Sequence, residues 1–266
     1  NSTYTGATTI SAGTLQIGNG GTSGSIAGTV SVTNNAALIY NRSDALSVPY
    51  SVSGSGSLSQ SGTGTTTLTA NNSYSGQTIV NAGTLQFTTT GSLYNANAAN
   101  WTAANINVKS GATLGLNVGG TNEFSTANVT TLLTNLASSS SSTNGMLAGS
   151  NFAFSTTNAS GGTFTINDVI ANSGGATGGS RGVVKRGTGT LVLTANNTYN
   201  GTTAINNGTL QIGNGGTTGS IANTASVTNN GSLVYNRSDV ITAGYAINGN
   251  GTLTKHGGGS LILTGN

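Results

Sequence analysis

Along this chain apolar residues recur at every second position in runs of three to five, and each run stops at glycine or asparagine. Thr14-Leu15-Gln16-Ile17 and Ser31-Val32-Thr33 alternate fully, and Thr190-Leu191-Val192-Leu193-Thr194 alternates in part. A period of two predicts short half-buried strands. Their inward phase holds Leu15, Ile17, Ile26, Val32, Leu38, Tyr40, Val52, Leu58 and Leu68. Breaks at Asn34-Asn35, Gly54-Ser55-Gly56 and Gly62-Thr63-Gly64 suit corners that need positive φ. A buried aliphatic contributes roughly 1.5–3 kcal/mol, so no single run can stand alone and neighbouring units must share one interior.

The pattern also repeats on a longer scale. GTLQIGNGGTSGSIA, from Gly13 to Ala27, returns from Gly208 to Ala222 with Ser23 replaced by Thr218 as its one change, and GTLQF recurs at Gly83. Residues 1–70 align with 196–265 at a constant offset, about 40 of the 70 positions being identical. Asn1, Asn71, Asn196 and Asn266 share one phase, ahead of the motif that carries Tyr4, Tyr74 and Tyr199. The expected organisation is one repeat array over 1–266, with units 1–70, 71–195 and 196–265, cut as a window from something longer.

Short strands, polar corners and faithful repetition predict an all-β parallel β-helix of about nine to eleven coils, each rising ~4.8 Å. Recurring Asn and Thr at the corners suggest side-chain ladders between coils. The competing architecture is an antiparallel sandwich or barrel, whose turns have similar spacing but no reason to repeat every 70 residues.

The second unit departs from the pattern over 95–180. Asn105 to Val118 still reads as strand and turn, and Asn151 to Ala171 alternates through Phe152, Phe154, Phe164 and Ile166. Between them Val129, Leu132, Leu133 and Leu136 share one helical face, with Ser125 or Thr126 as the cap and Phe124 poised to pack beneath. Ser138 to Ser142 reads as a flexible serine run. The expectation is an irregular excursion carrying one short helix against the rod.

Charged residues make up only 4% of the chain, so Ser, Thr, Asn and 43 glycines must supply its hydrogen-bonding surface. The net charge of +3 is spread out, and only Arg181, Lys185 and Arg186 cluster, which argues against nucleic acid as a partner. No apolar run approaches the ~20 residues of a membrane span, so no membrane insertion of this segment is expected. Cysteine is absent, and the glycine-rich runs carry no carboxylates, so neither metal nor cofactor is expected.

The run Gly187-Thr188-Gly189-Thr190-Leu191-Val192-Leu193-Thr194-Ala195-Asn196-Asn197-Thr198-Tyr199-Asn200-Gly201, continuing to Asn207-Gly208-Thr209-Leu210-Gln211-Ile212-Gly213, resembles the autotransporter-associated (passenger-associated) β-strand repeat. The stretch GATLGLNVGGTNEFSTANVTTLLTNL resembles an extended form of that repeat. The resemblance implies a right-handed β-helical passenger, exported to a bacterial surface or shed from it, with no catalytic residues.

Candidate chemistry is thin. Asp44 and Asp239 follow Arg42 and Arg237 in a duplicated Asn-Arg-Ser-Asp corner, the pattern of a local ion pair or Asx turn. His256, the one histidine, aligns with Ser61 and Arg186 and has no orienting acid nearby. Lys185 and Lys255 share a phase with Gln60 and read as solvated. For ligand contact the candidates are Trp101, Tyr4, Tyr74 and Tyr199. The alternative for the tyrosines is that they cover coil edges and bond through their hydroxyls, and for Trp101 that it anchors packing.

The function these features suggest is a non-enzymatic rod or fibre of an extracellular surface protein, associating end to end through open coil ends. The alternative is a module that binds a glycan or a cell surface through 95–180. Ice binding would need one regular threonine column, and Thr65-Thr66-Thr67 becoming Ser260-Leu261-Ile262 breaks it.

Overall fold

A computed structural model describes residues 1–139 and 141–265. Its strands are two to six residues long, pair in parallel, and follow one another around a single axis as a β-solenoid of about 11 turns with one short α-helix. Asn266 lies outside the described residues.

Each coil visits three faces in a fixed order. The first face begins with Thr8–Ile10, Ser31–Asn34 and Ser51–Ser53 and ends with Thr163–Ile166, Thr190–Leu193, Thr209–Ile212, Ser232–Asn236 and Thr252–His256. The second begins with Thr14–Ile17, Ala37–Tyr40 and Ser57–Gln60, passes through Thr78–Val80, Ile106–Val108 and Gly145–Met146, and ends with Ile241–Ala243 and Leu261–Leu263. The third is one continuous nine-stranded sheet from Ala45–Val48 to Ala246–Asn248. It crosses 95–180 without a break, through Thr113–Asn117 and Ser150–Ser155.

Because the ladders are in register, inward residues stack in columns. One column runs Leu68, Phe87, Leu116, Phe154, Lys185, Ile205. All six are fully buried, and five of them are the apolar filling that alternation predicts. Of the nine residues expected inside, eight are buried. Leu15, in the first coil, is packed on one side only and stays half-buried.

At corners the chain leaves strand geometry, and its peptide groups need other partners. Asparagine supplies a donor and an acceptor in one side chain. Asn72 accepts from Val52 N–H at 2.8 Å in the coil before and donates to Ser92 O at 2.8 Å in the coil after. Asn34 and Asn229 donate to Ser57 O and Thr252 O, each at 2.8 Å. These corner amides bridge to backbone rather than to one another, which corrects the asparagine part of the expected ladders, whereas threonine hydroxyls do pair between coils, Thr8 with Thr29 at 3.0 Å and Thr203 with Thr224 at 2.9 Å.

The excursion keeps its inner strands and departs mainly on the first face. There the helix Thr126–Asn135 replaces a strand. Ser125 caps it in a reciprocal capping box with Asn128. Phe124, Val129, Leu132, Leu133 and Leu136 are buried beneath it. The serine run is tied down where it is described: Ser139 is buried, donates to Asn144 O at 2.6 Å and pairs with Thr177 Oγ1 at 2.7 Å, while Lys109 Nζ donates to Ser142 O at 2.6 Å. Ser140 lies outside the described residues.

Equivalent strands do not lie over one another. Thr8–Ile10 is on the first face, its counterpart Thr78–Val80 on the second, and Thr203–Ile205 on the third. The step across residues 1–70 is three coils and one face. The longer step across 71–195 is four coils and one face, so the excursion adds one whole coil and leaves the phase unchanged.

Candidate functional site

The most faithfully copied surface is the glycine-rich loop that follows Thr14–Ile17 and, in the second copy, Thr209–Ile212. Gly18 has φ +85°, and a Cβ there would stand 2.5 Å from Asn41 O in the next coil, so only glycine turns the chain this way. Arg42 then clamps the loop from that coil. Its Nη1 donates to Gly24 O at 2.8 Å and Nη2 to Thr22 O at 2.6 Å, while Nε and Nη2 fork onto Asp44 at 2.8 and 2.7 Å. Arg237 repeats every contact, with Gly219 O, Thr217 O and Asp239. The guanidinium hydrogen bonds hold both carboxylates below their usual pKa and raise that of Arg42. The duplicated ion pair read from sequence is therefore present, and its larger task is to pin a loop.

The aromatic candidates separate by depth. Trp101 is 1% exposed, donates from Nε1 to Leu93 O at 3.1 Å and packs on Phe124 with ring centroids 5.6 Å apart. Tyr74 and Tyr199 are also buried, and their hydroxyls bond Thr78 and Thr203, each at 2.7 Å. Those three rings lie inside the coil. Tyr4 makes the matching bond to Thr8 at 2.5 Å but remains 42% exposed.

Two cations stand where the apolar phase of a strand should be. In Arg181–Arg186 the inward positions are Arg181, Val183 and Lys185, all buried. Lys185 Nζ donates to the carbonyls of Arg186, Gly187 and Asn207 at 2.7, 2.7 and 3.1 Å, and burial lowers its pKa to about 8. It is not solvated, contrary to the sequence reading. It locks a glycine corner, as Gln60 does by donating to Gly62 O at 2.7 Å and Gln211 by donating to Gly213 O at 2.9 Å. Lys255 bonds Gly257 O at 3.2 Å in the same way. Arg181 lies beneath the helix, and burial lowers its pKa to about 10. A charge written into the inward phase was the available signal for both.

The acids are dispersed among separate structural tasks. Glu123 accepts from Gly120 N–H at 3.0 Å and Asn158 Nδ2 at 2.8 Å, and Asp168 accepts from Thr130 Oγ1. Among the described residues no helix is long and apolar enough to cross a membrane.

Residues 1–17, 58–87, 183–212 and 253–266 match the passenger-associated-transport-repeat family. Over 92 residues the chain is 48% identical to a protein of Brucella suis biovar 1 (strain 1330) described as "Adhesin BmaC autotransporter". That match takes in 34% of this chain and 3% of the relative, so the chain spans only a small part of the relative's length. No solved structure matches. Both clamped loops, and the excursion with its helix, lie between the matched segments.

Proposed function

We propose that this chain, which carries passenger-associated-transport repeats and is similar over part of its length to an autotransporter adhesin, is exported to the cell surface, and that this segment is a stiff spacer of an adhesin, holding adhesive parts away from the cell. One observation carries the reading. The nine-stranded third face runs unbroken from Ala45–Val48 to Ala246–Asn248, so the excursion is built onto the rod and does not hinge it. Small-angle scattering tests this. A spacer gives a rigid rod about 50 Å long, from ~4.8 Å per coil, and a chain that bends at 95–180 gives a broader, shorter distribution.

The role is non-enzymatic. The acids and inward cations each serve a loop, a corner or the helix, and purified protein is expected to be inactive on polysaccharides and esters. Turnover of either would contradict the assignment.

End-to-end association of copies belongs to the same proposal. In the last coil Leu253, Ile262 and Leu263 are 39%, 46% and 54% exposed, whereas Leu233 and Ala243, in register with Leu253 and Leu263 one coil earlier, are fully buried. A further coil, of this chain or of a second copy, covers such an edge. Sedimentation of the 266-residue protein should show concentration-dependent association, and a monomer at every concentration would rule it out.

A further inference from the structure

Between the helix and the body of the rod lies a cavity of about 340 Å³, within the range of small-ligand sites. Arg181 forms part of its lining and is only 1% exposed. The guanidinium donates from Nη2 to Leu136 O at the helix C-terminus and lies 5.7 Å over the Phe152 ring. Its Nε has no partner, and among the described residues no carboxylate lies within ion-pair distance of it. The negative end of the helix dipole offsets part of the charge but leaves that donor unmet. An uncompensated buried cation is costly to keep, and the natural complement of a guanidinium fork is a carboxylate.

The remaining lining suits a sugar ring. Asp168 presents a carboxylate, one oxygen of which accepts from Thr130. Asn172 Oδ1 accepts from Arg181 N–H at 3.3 Å and Asn200 N–H at 3.0 Å, which leaves its Nδ2 free to donate. Leu133 and Val169, the latter 47% exposed, add an apolar wall for C–H groups.

We propose that this cavity binds a single acidic sugar residue, a pyranose bearing a carboxylate, with the carboxylate on Arg181 and ring hydroxyls on Asp168 and Asn172. The site goes beyond the spacer reading, which stands or falls separately by scattering.

The test is saturation-transfer NMR and calorimetry on the 266-residue protein, with methyl glucuronide and methyl sialoside as acidic probes and methyl glucoside as the neutral one. At least one acidic probe should bind, with the glucoside roughly tenfold weaker. Which of the two binds distinguishes a hexuronic from a nonulosonic acid. Thr134→Trp, on the exposed side of the helix at the cavity, should abolish binding without changing the thermal melt. Asp168→Asn removes a like charge while keeping an acceptor, and should raise the preference for the acidic probe over the glucoside several-fold. No binding of either acidic probe, equal binding of acidic and neutral sugars, or binding that survives Thr134→Trp would overturn the proposal.

Discussion

Residues 1–70 and 196–265 share about 40 of 70 positions and build the same local structure, yet the two copies differ in burial and in direction. The clamps on their glycine loops agree contact by contact. Tyr4 and Tyr199, by contrast, occupy the same place in the same motif, and one is 42% exposed while the other is fully buried. Leu15 is half-buried and its counterpart Leu210 fully buried. Local shape therefore belongs to the sequence, and burial to whichever coil lies alongside. Direction belongs to neither. It follows from the number of residues between copies, which turns each successive family repeat one face further around the rod.

The largest expected effect breaks the equivalence by mutation. Tyr199→Ala should cost about 3–5 kcal/mol, as for a buried aromatic, and Tyr4→Ala within about 0.5 kcal/mol, as for a surface site, both read from denaturant unfolding. Equal costs would mean that the coils do not share their interior.

Titration gives the next largest effect. Burial raises the phenol pKa of Tyr40, Tyr74 and Tyr199 and takes those of Tyr50, Tyr94 and Tyr235 to about 12. Unfolded tyrosine ionises near ~10, so above that pH the unfolded state holds fewer protons and stability falls. Lys185 has the opposite sign. Its pKa is lowered to about 8 against ~10.4 unfolded, so between those values the unfolded state holds more protons and stability rises with pH. Melts across the alkaline range should therefore show a maximum. Lys185→Gln, which places the residue found at Gln60 into the same corner, should flatten the rising limb and leave the fall.

A sharper use of the comparison is to exchange the two spacers. Replacing 88–182 by a second copy of 18–57 should give a folded rod one coil shorter, by ~5 Å, because both spacers advance the next repeat by one face. Circular dichroism and scattering check it, and an aggregated product would show that the phase rule is wrong. The smallest effect concerns the clamps. Arg42→Met and Arg237→Met should expose their loops to protease at similar rates while leaving the melt almost unchanged.

Much of this was legible in the residues. Alternation through Val32, Leu38, Val52 and Leu58 placed the core, and the spacing of Val129, Leu132, Leu133 and Leu136 placed the helix on its buried side. Both follow from periodicity, which is a local property. Depth was harder to read. Tyr74 looks the same as Tyr4 in sequence, and only the coil stacked beside it decides which ring meets water. The cavity was less legible still. Arg181 lies in the inward phase with Val183, but the cavity above it needs a helix some 50 residues earlier in the chain to fold back over that strand. The rotation of faces was beyond reach, because coils of unequal length hide the count of turns between one copy and the next.

The central claim is that coils stack in parallel register along one axis, through the excursion as well as outside it. Paired cysteines test it cleanly in a chain that has none. Ser47 with Thr67, Ser155 with Arg186, and Thr228 with Asn248 are register partners on the third face, in the first unit, the excursion and the last unit. The measurement is disulfide mapping by mass spectrometry after mild oxidation of each double-cysteine variant. The account predicts that all three bridges form within single chains. If the Ser155–Arg186 pair stayed reduced while the outer two closed, the excursion would not be a coil of the rod.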